Sequence, residues 1–197
     1  TSSNNIVLSD GDGNPRVIVN SSGNVGIGTT APTSALHISN NAASADNLTL
    51  LTLQNGNGSG DVSTPDTWID FVFKDANSNV TPQARIGAHA GDGGDASTQI
   101  LEGKGYLTFH TSDTTAIDGD LDPPERVRID ASGNVLVGTT DSTLYSNTTG
   151  GGVNILSDGL TTIARETAAT SDTVFVINDT GAGGSLQEFR KDGTTVG

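Results

Sequence analysis

The chain has 197 residues, of which 32% are hydrophobic and 4% aromatic, and 23 acidic against 9 basic residues leave a formal charge of −14. That balance offers no basic patch to replace the counterions on phosphate, which argues against nucleic acid as a partner, and it disfavours anionic membrane surfaces for the same reason. The apolar content gives a lone monomer a thin core, so oligomerisation is the expected remedy.

Taken in chain order, the first informative stretch is Asp10-Gly-Asp12-Gly-Asn14. It leads into residues 15–30, PRVIVNSSGNVGIGTT, where Val17 and Val19 alternate with their neighbours as in a half-buried strand. The turn Ser21-Ser22-Gly23-Asn24 follows, with Gly23 free to take φ > 0, and Val25 and Ile27 resume the alternation on a return strand. Gly26 and Gly28 either end that strand or allow close backbone approach. Further alternating runs occur at Ala35–Ile38, Leu48–Leu53, Trp68–Phe73, Ala84–Ile86 and Tyr106–Phe109, separated by loops dense in Gly, Asn, Asp and Ser. In Trp68–Phe73 the face carrying Ile69, Phe71 and Phe73 is the expected core face.

Residues 125–140, ERVRIDASGNVLVGTT, repeat the first hairpin at an offset of 110, with nine of sixteen positions identical. Here Val127 and Ile129, the turn glycine Gly133, then Val135 and Val137 fill the corresponding roles. Beyond it, Val153–Ile155, Leu160–Ile163, Thr173–Ile177 and Leu186–Phe189 read as strands, with Ile163–Ala169 open to a short helix instead. Short strands at this spacing predict an all-β fold of sandwich-like units. The expected organisation is a hairpin connector over 1–30, a β-rich unit over 31–124, the repeated hairpin over 125–140 and a second, truncated unit over 141–197.

Candidate chemistry is sparse. The absence of cysteine excludes disulfides and thiolate metal sites, and no apolar run approaches the length of a membrane span. His37, His89 and His110 are read as structural or surface histidines, since no serine sits in a Gly-x-Ser-x-Gly elbow. Asp10 with Asp12, and Asp118 with Asp120 and Asp122, have the alternate spacing that can wrap a calcium ion, but both lack the EF-hand glycine and glutamate. Solvated acidic turns are the commoner outcome of such spacing, so the expectation is no cofactor, with calcium the one ion to test. No phosphate-binding loop is present, and Gly26-Ile27-Gly28 has no helix after it. The chain begins at Thr1 without a single methionine, as expected of a processed product or a piece of a longer protein.

The stretch Ser22–Pro32, followed by Ala35-Leu36-His37-Ile38, closely resembles a segment recurrent in bacteriophage tail fibres and tail spikes. Residues 125–140 resemble the same element again, and Glu188–Gly197 is similar to fibre sequence lying upstream of a C-terminal intramolecular chaperone domain. The resemblance implies a parallel homotrimer with hairpins or triple-stranded β-helix segments as connectors, placed in a virion tail and attaching to a host surface. It also implies other virion subunits as neighbours and a glycan or protein receptor on the cell. In this reading Val17, Val19, Val25, Ile27, Val127, Ile129, Val135 and Val137 form the assembly layer, and the chain is a scaffold, not an enzyme. Loops around 55–64 and 113–124 are the expected receptor contacts. The alternative is a subunit of an extracellular bacterial or archaeal filament or adhesin that polymerises by strand donation.

Overall fold

The structure, a computed structural model, describes residues 4–40, 48–56, 66–73, 81–90, 104–113, 122–166, 174–175, 190–191 and 194–195. The chain is all-β and divides into two units, Thr1–Gln54 and Asn55–Gly197.

In the first unit, β1 (Ile6–Ser9), β2 (Pro15–Val19), β3 (Val25–Ile27) and β4 (Leu36–Ile38) form one sheet in that order. β1, β2 and β3 are antiparallel neighbours, whereas β4 runs parallel to β3. Loop 28–35 makes that parallel return in few residues, with Pro32 buried. Gly28 permits it, since φ is +71° and an added Cβ would collide with the carbonyl of Ser39. The close approach at Gly28 is thus made within one chain.

In the second unit, β5 (Asp66–Phe71), β6 (Ala84–Ala90), β7 (Gly105–Thr111), β8 (Glu125–Ile129), β9 (Val135–Val137), β10 (Gly152–Ile155) and β11 (Thr161–Ala164) form an antiparallel meander. Strands 8 and 9, the repeated hairpin, are the middle of this sheet and join its two halves directly. Residues 161–164 settle as strand β11, so the helical option over 163–169 is not taken up by its described part. Two short strands near the C-terminus, β12 (Arg190–Lys191) and β13 (Thr194–Thr195), pair with each other. The run Leu48–Leu53 joins no ladder, and Leu48, Leu50, Leu51 and Leu53 are exposed. Positions 173 and 176–177 of the Thr173–Ile177 run and all of 186–189 lie outside the described residues.

Among the described residues the first unit carries one sheet, and the second carries the seven-stranded sheet and the β12–β13 pair. Burial within the chain is concentrated on one face. In the first unit it holds Ile18 and Gly26, and in the second Leu136, 1% exposed, with Asn154 behind it. A short 3-10 turn, Leu144–Ser146, contributes buried Leu144, and the Asn154 amide donates to the carbonyl of Asp141 at 2.8 Å. No helix among the described residues is long and apolar enough to cross a membrane.

Candidate functional site

Strand periodicity places alternate side chains on opposite faces, and the registers show how the open face of each sheet is composed. In the second unit one residue per strand lines up into a continuous row: Ile69, Ile86, Phe109, Val127, Val137, Val153 and Ile163. The adjacent row carries Leu107, Ile129, Val135 and Ile155 at its centre. None of these residues is buried: Ile69 is 45% exposed, Phe109 38%, Val137 39% and Ile155 47%. The first unit repeats the pattern, with Ile6, Val19, Val25 and Leu36 in one row and Leu8, Val17, Ile27 and Ile38 in the next. The eight residues read as an assembly layer all lie on these open faces.

The expected core face of β5 needs correcting for the single chain. Ile69, Phe71 and Phe73 are exposed, and the packed side is the one bearing Trp68. Gly87 is paired across from Trp68, and a Cβ there would strike the indole, so the glycine makes room for the ring. The Arg85 guanidinium lies 4.6 Å from the Trp68 ring centroid and is itself held by Asp70 (3.0 and 3.2 Å) and Asp122 (3.1 Å). Tyr106 is stacked on His89 at 4.4 Å from the β6 side and covered by Arg128 at 4.5 Å from the β8 side. Both Tyr106 ring faces are therefore occupied, which leaves no face for a sugar. Glu125 pairs with Arg128 through two contacts of 2.8 and 2.7 Å, and that bonding pushes the guanidinium further above its already high range.

A chain of contacts that no sequence motif announced runs through this layer. Asp66 Oδ1 lies 2.7 Å from His89 Nδ1, and His89 Nε2 lies 2.7 Å from Thr108 Oγ1. The order carboxylate, imidazole, hydroxyl is that of a nucleophile relay. Thr108, however, is 0% exposed, and its hydroxyl faces a second imidazole, His110 Nε2, at 3.0 Å. The oxygen has no open approach for a substrate. His37, on β4, contacts Thr33 instead, through Nδ1 at 3.4 Å from both its amide and its hydroxyl.

The acidic stretches also find their places. Asp10 Oδ1 accepts the amides of Asp12 (3.1 Å) and Asn14 (2.9 Å), and Oδ2 accepts from Arg16 at 2.9 Å. The amide of Asn14, then its side chain and Arg16, hold the Asp10 carboxyl below the usual carboxylate range. Those oxygens are thus engaged by the turn itself. Asp122 is paired with Arg85, Asp12 is exposed, and Asp118 and Asp120 lie outside the described residues. Among the described residues no group of three or more His, Cys, Asp or Glu is arranged to hold a metal ion.

The repeated hairpin marks two turn glycines in the sequence, and among the described residues there are four turns of one kind. The amides of residues 10, 20, 130 and 156 donate to the carbonyls of 14, 24, 134 and 160, while Gly13, Gly23, Gly133 and Gly159 donate back. These glycines take φ of +83°, +81°, +84° and +94°. Asp10, Asn20 and Asp130 each also accept two amides through the side chain, an Asx turn inside the hairpin loop. The signal was available as Asx-x-x-Gly-Asn in three of the four copies. Of the expected receptor loops, only residues 55–56, 113 and 122–124 lie within the described parts. No protein-family model and no curated protein matches the chain.

Proposed function

We propose that this chain is a structural segment of an extracellular β-fibre of the bacteriophage tail-fibre kind, acting as scaffold and in attachment to a host surface, without catalysis. The observation that carries the reading is the open apolar face present on both units. Across seven strands that face is about 34 Å wide. Monomeric soluble proteins rarely expose a contiguous apolar patch beyond a few hundred Å². Each such side chain gains about 1.5–3 kcal/mol on full burial, so a partner covering the rows contributes far more than a single chain's thin core. Copies of the same chain are the simplest partner, because every copy brings both faces with it. Three copies around an axis make the homotrimer of the proposal, in a virion tail with other virion subunits as neighbours. Attachment then falls to surface loops reading a cell-surface glycan or protein, with several identical fibres raising avidity.

Native mass spectrometry over a range of concentrations tests this. A discrete species of three times the 20.0 kDa chain is the expected result, and a monomer at all concentrations would overturn the proposal. One feature favours a second reading, a filament subunit joined by strand donation. β1 is an edge of its sheet and exposes Ile6, Val7 and Leu8, a template for an incoming strand. A ladder of growing species in the same measurement would select that reading.

A further inference from the structure

Across β5, β6 and β7, four contacts connect five groups in series. They run from Asp66 Oδ1 to His89 Nδ1 (2.7 Å), His89 Nε2 to Thr108 Oγ1 (2.7 Å), Thr108 Oγ1 to His110 Nε2 (3.0 Å) and His110 Nδ1 to the Pro123 carbonyl (2.8 Å). Each contact needs one hydrogen. The Pro123 carbonyl only accepts, so His110 Nδ1 must carry a hydrogen, and an ionised Asp66 places the same demand on His89 Nδ1. Thr108 has a single hydroxyl hydrogen and stands between two Nε2 atoms. With both imidazoles neutral and Asp66 ionised there are three hydrogens for four contacts. One contact is then a nitrogen lone pair against an oxygen lone pair, beside a threonine that is 0% exposed.

We propose that in the folded protein Asp66, His89, Thr108 and His110 bind, as a unit, one proton beyond that state, and that this proton ties β5, β6 and β7 together. It completes the series wherever it resides. On His89, Nε2–H donates to Thr108, and the hydroxyl donates to His110. On His110, the hydroxyl donates to His89. On Asp66, the carboxyl donates to His89 Nδ1, and His89 turns its hydrogen to Nε2. The net charge of the four groups is then zero, which suits a series whose middle is buried, with Thr108 0% and the His89 side chain 8% exposed, and whose Asp66 end is open. Of the surrounding charges, Arg128 pairs with Glu125, and Arg85 is held by both Asp70 and Asp122, which leaves one negative charge in excess; Tyr106 covers His89, and Trp68 meets both imidazoles in T-shaped contacts.

The consequence is a sheet that is tighter in acid than in alkali near neutrality. Above about pH 6.5 a histidine in an unfolded chain is neutral, so the folded state binds more protons than the unfolded one. Stability then falls as pH rises, by up to about tenfold in the unfolding equilibrium constant per pH unit for one proton. The stabilisation is fully present below that unfolded value and disappears once the cluster releases its proton.

The chain has only three histidines, so ¹⁵N-histidine spectra of the assembled protein resolve the question directly. At pH 7.5 we expect either one cluster imidazole protonated on both nitrogens, or two neutral imidazoles of opposite tautomer with the Asp66 carboxyl protonated in ¹³C spectra; the same two tautomers beside an ionised Asp66 would overturn the proposal. Both imidazoles neutral with hydrogen on Nδ1 would overturn the proposal, whether or not the chain assembles. Denaturation between pH 6.5 and 8.5 supplies the second readout. Stability should fall with pH in the native chain and in Thr108→Ser, which keeps the hydroxyl, and the slope should flatten in Thr108→Val. An equal slope in all three would also overturn it.

Discussion

At the scale of single residues, two positions show how much depends on a missing or a shared atom. Gly87 has no Cβ because Trp68 lies over it; a Cβ there would also stand 2.6 Å from His89 Nε2 and 2.7 Å from Thr108 Oγ1. Gly87→Ala should therefore displace the indole and cost about 1–3 kcal/mol, read by chemical denaturation and by the fluorescence of the single tryptophan. Asp10 and Asn20 occupy the same place in twin turns and accept the same pair of amides, one as a carboxylate and one as a neutral amide. The Asp10 carboxyl is held below its ordinary value of 3.8, so its contribution is present above that pH and is lost as pH falls through the lower folded value. Asp113, bonded by Arg126, and Asp141, bonded by Thr143, are shifted in the same direction and act alike. Asp10→Asn should keep the turn, as Asn20 does, and weaken the loss of stability in acid titration below about pH 4. A turn that opens in this variant at neutral pH would show that the charge on Asp10, and not its acceptor geometry, holds the loop.

At the scale of elements, β9 would separate folding from the proposed assembly in adjacent residues. Leu136 points to the face the chain covers for itself, and Val137 belongs to the open row. Leu136→Ala should destabilise each chain by about 2–5 kcal/mol in denaturant. Val137→Asp should leave the strand content seen by circular dichroism intact and dissolve the assembly seen by sedimentation. The alternation of Val135, Leu136 and Val137 is apolar on both sides, so the sequence marks a strand without marking which side stays bare. The face is decided by Leu144 and Asn154, which bury alongside Leu136, and loop 138–151 lies too far along the chain for a local pattern to place. The same holds for β5. The apolar alternation of Ile69, Phe71 and Phe73 suggests a core, and only the pairing of Trp68 with Gly87 shows which face packs within the chain.

At the scale of the whole molecule, a charge of −14 on each chain would set repulsion against burial of the open faces in the proposed assembly. Screening should favour assembly, because the Debye length falls from about 30 Å at 0.01 M salt to about 8 Å at 0.15 M. Dissociation constants measured by sedimentation should accordingly drop as salt is raised at fixed pH. A constant that rises with salt would mean that attraction between opposite charges, and not apolar burial, holds the copies together. The two units share the hairpin and differ in the strand after it: β4 returns parallel to β3, whereas β10 returns antiparallel to β9. Equivalent substitutions made in the two copies of the common skeleton should therefore have like effects in their units, and substitutions after the Gly-Thr-Thr sequence unlike ones.

The features legible in the sequence were local: the all-β class, the repeat at 110 residues, the period-two strands and the turns around Gly23 and Gly133. They arise from interactions that span a few residues, such as a φ only glycine adopts cheaply or a side chain reaching amides two and four positions ahead. Strand order, the face left open and the series from Asp66 through His89, Thr108 and His110 to Pro123 came from tertiary pairing alone. Those five residues are scattered along nearly sixty positions, and only the pairing of β5, β6, β7 and β8 brings their polar atoms within hydrogen-bonding distance of each other in turn. Ladder pairing is non-local, so a one-residue slip in any of the three strands would send the same side chains to the opposite face.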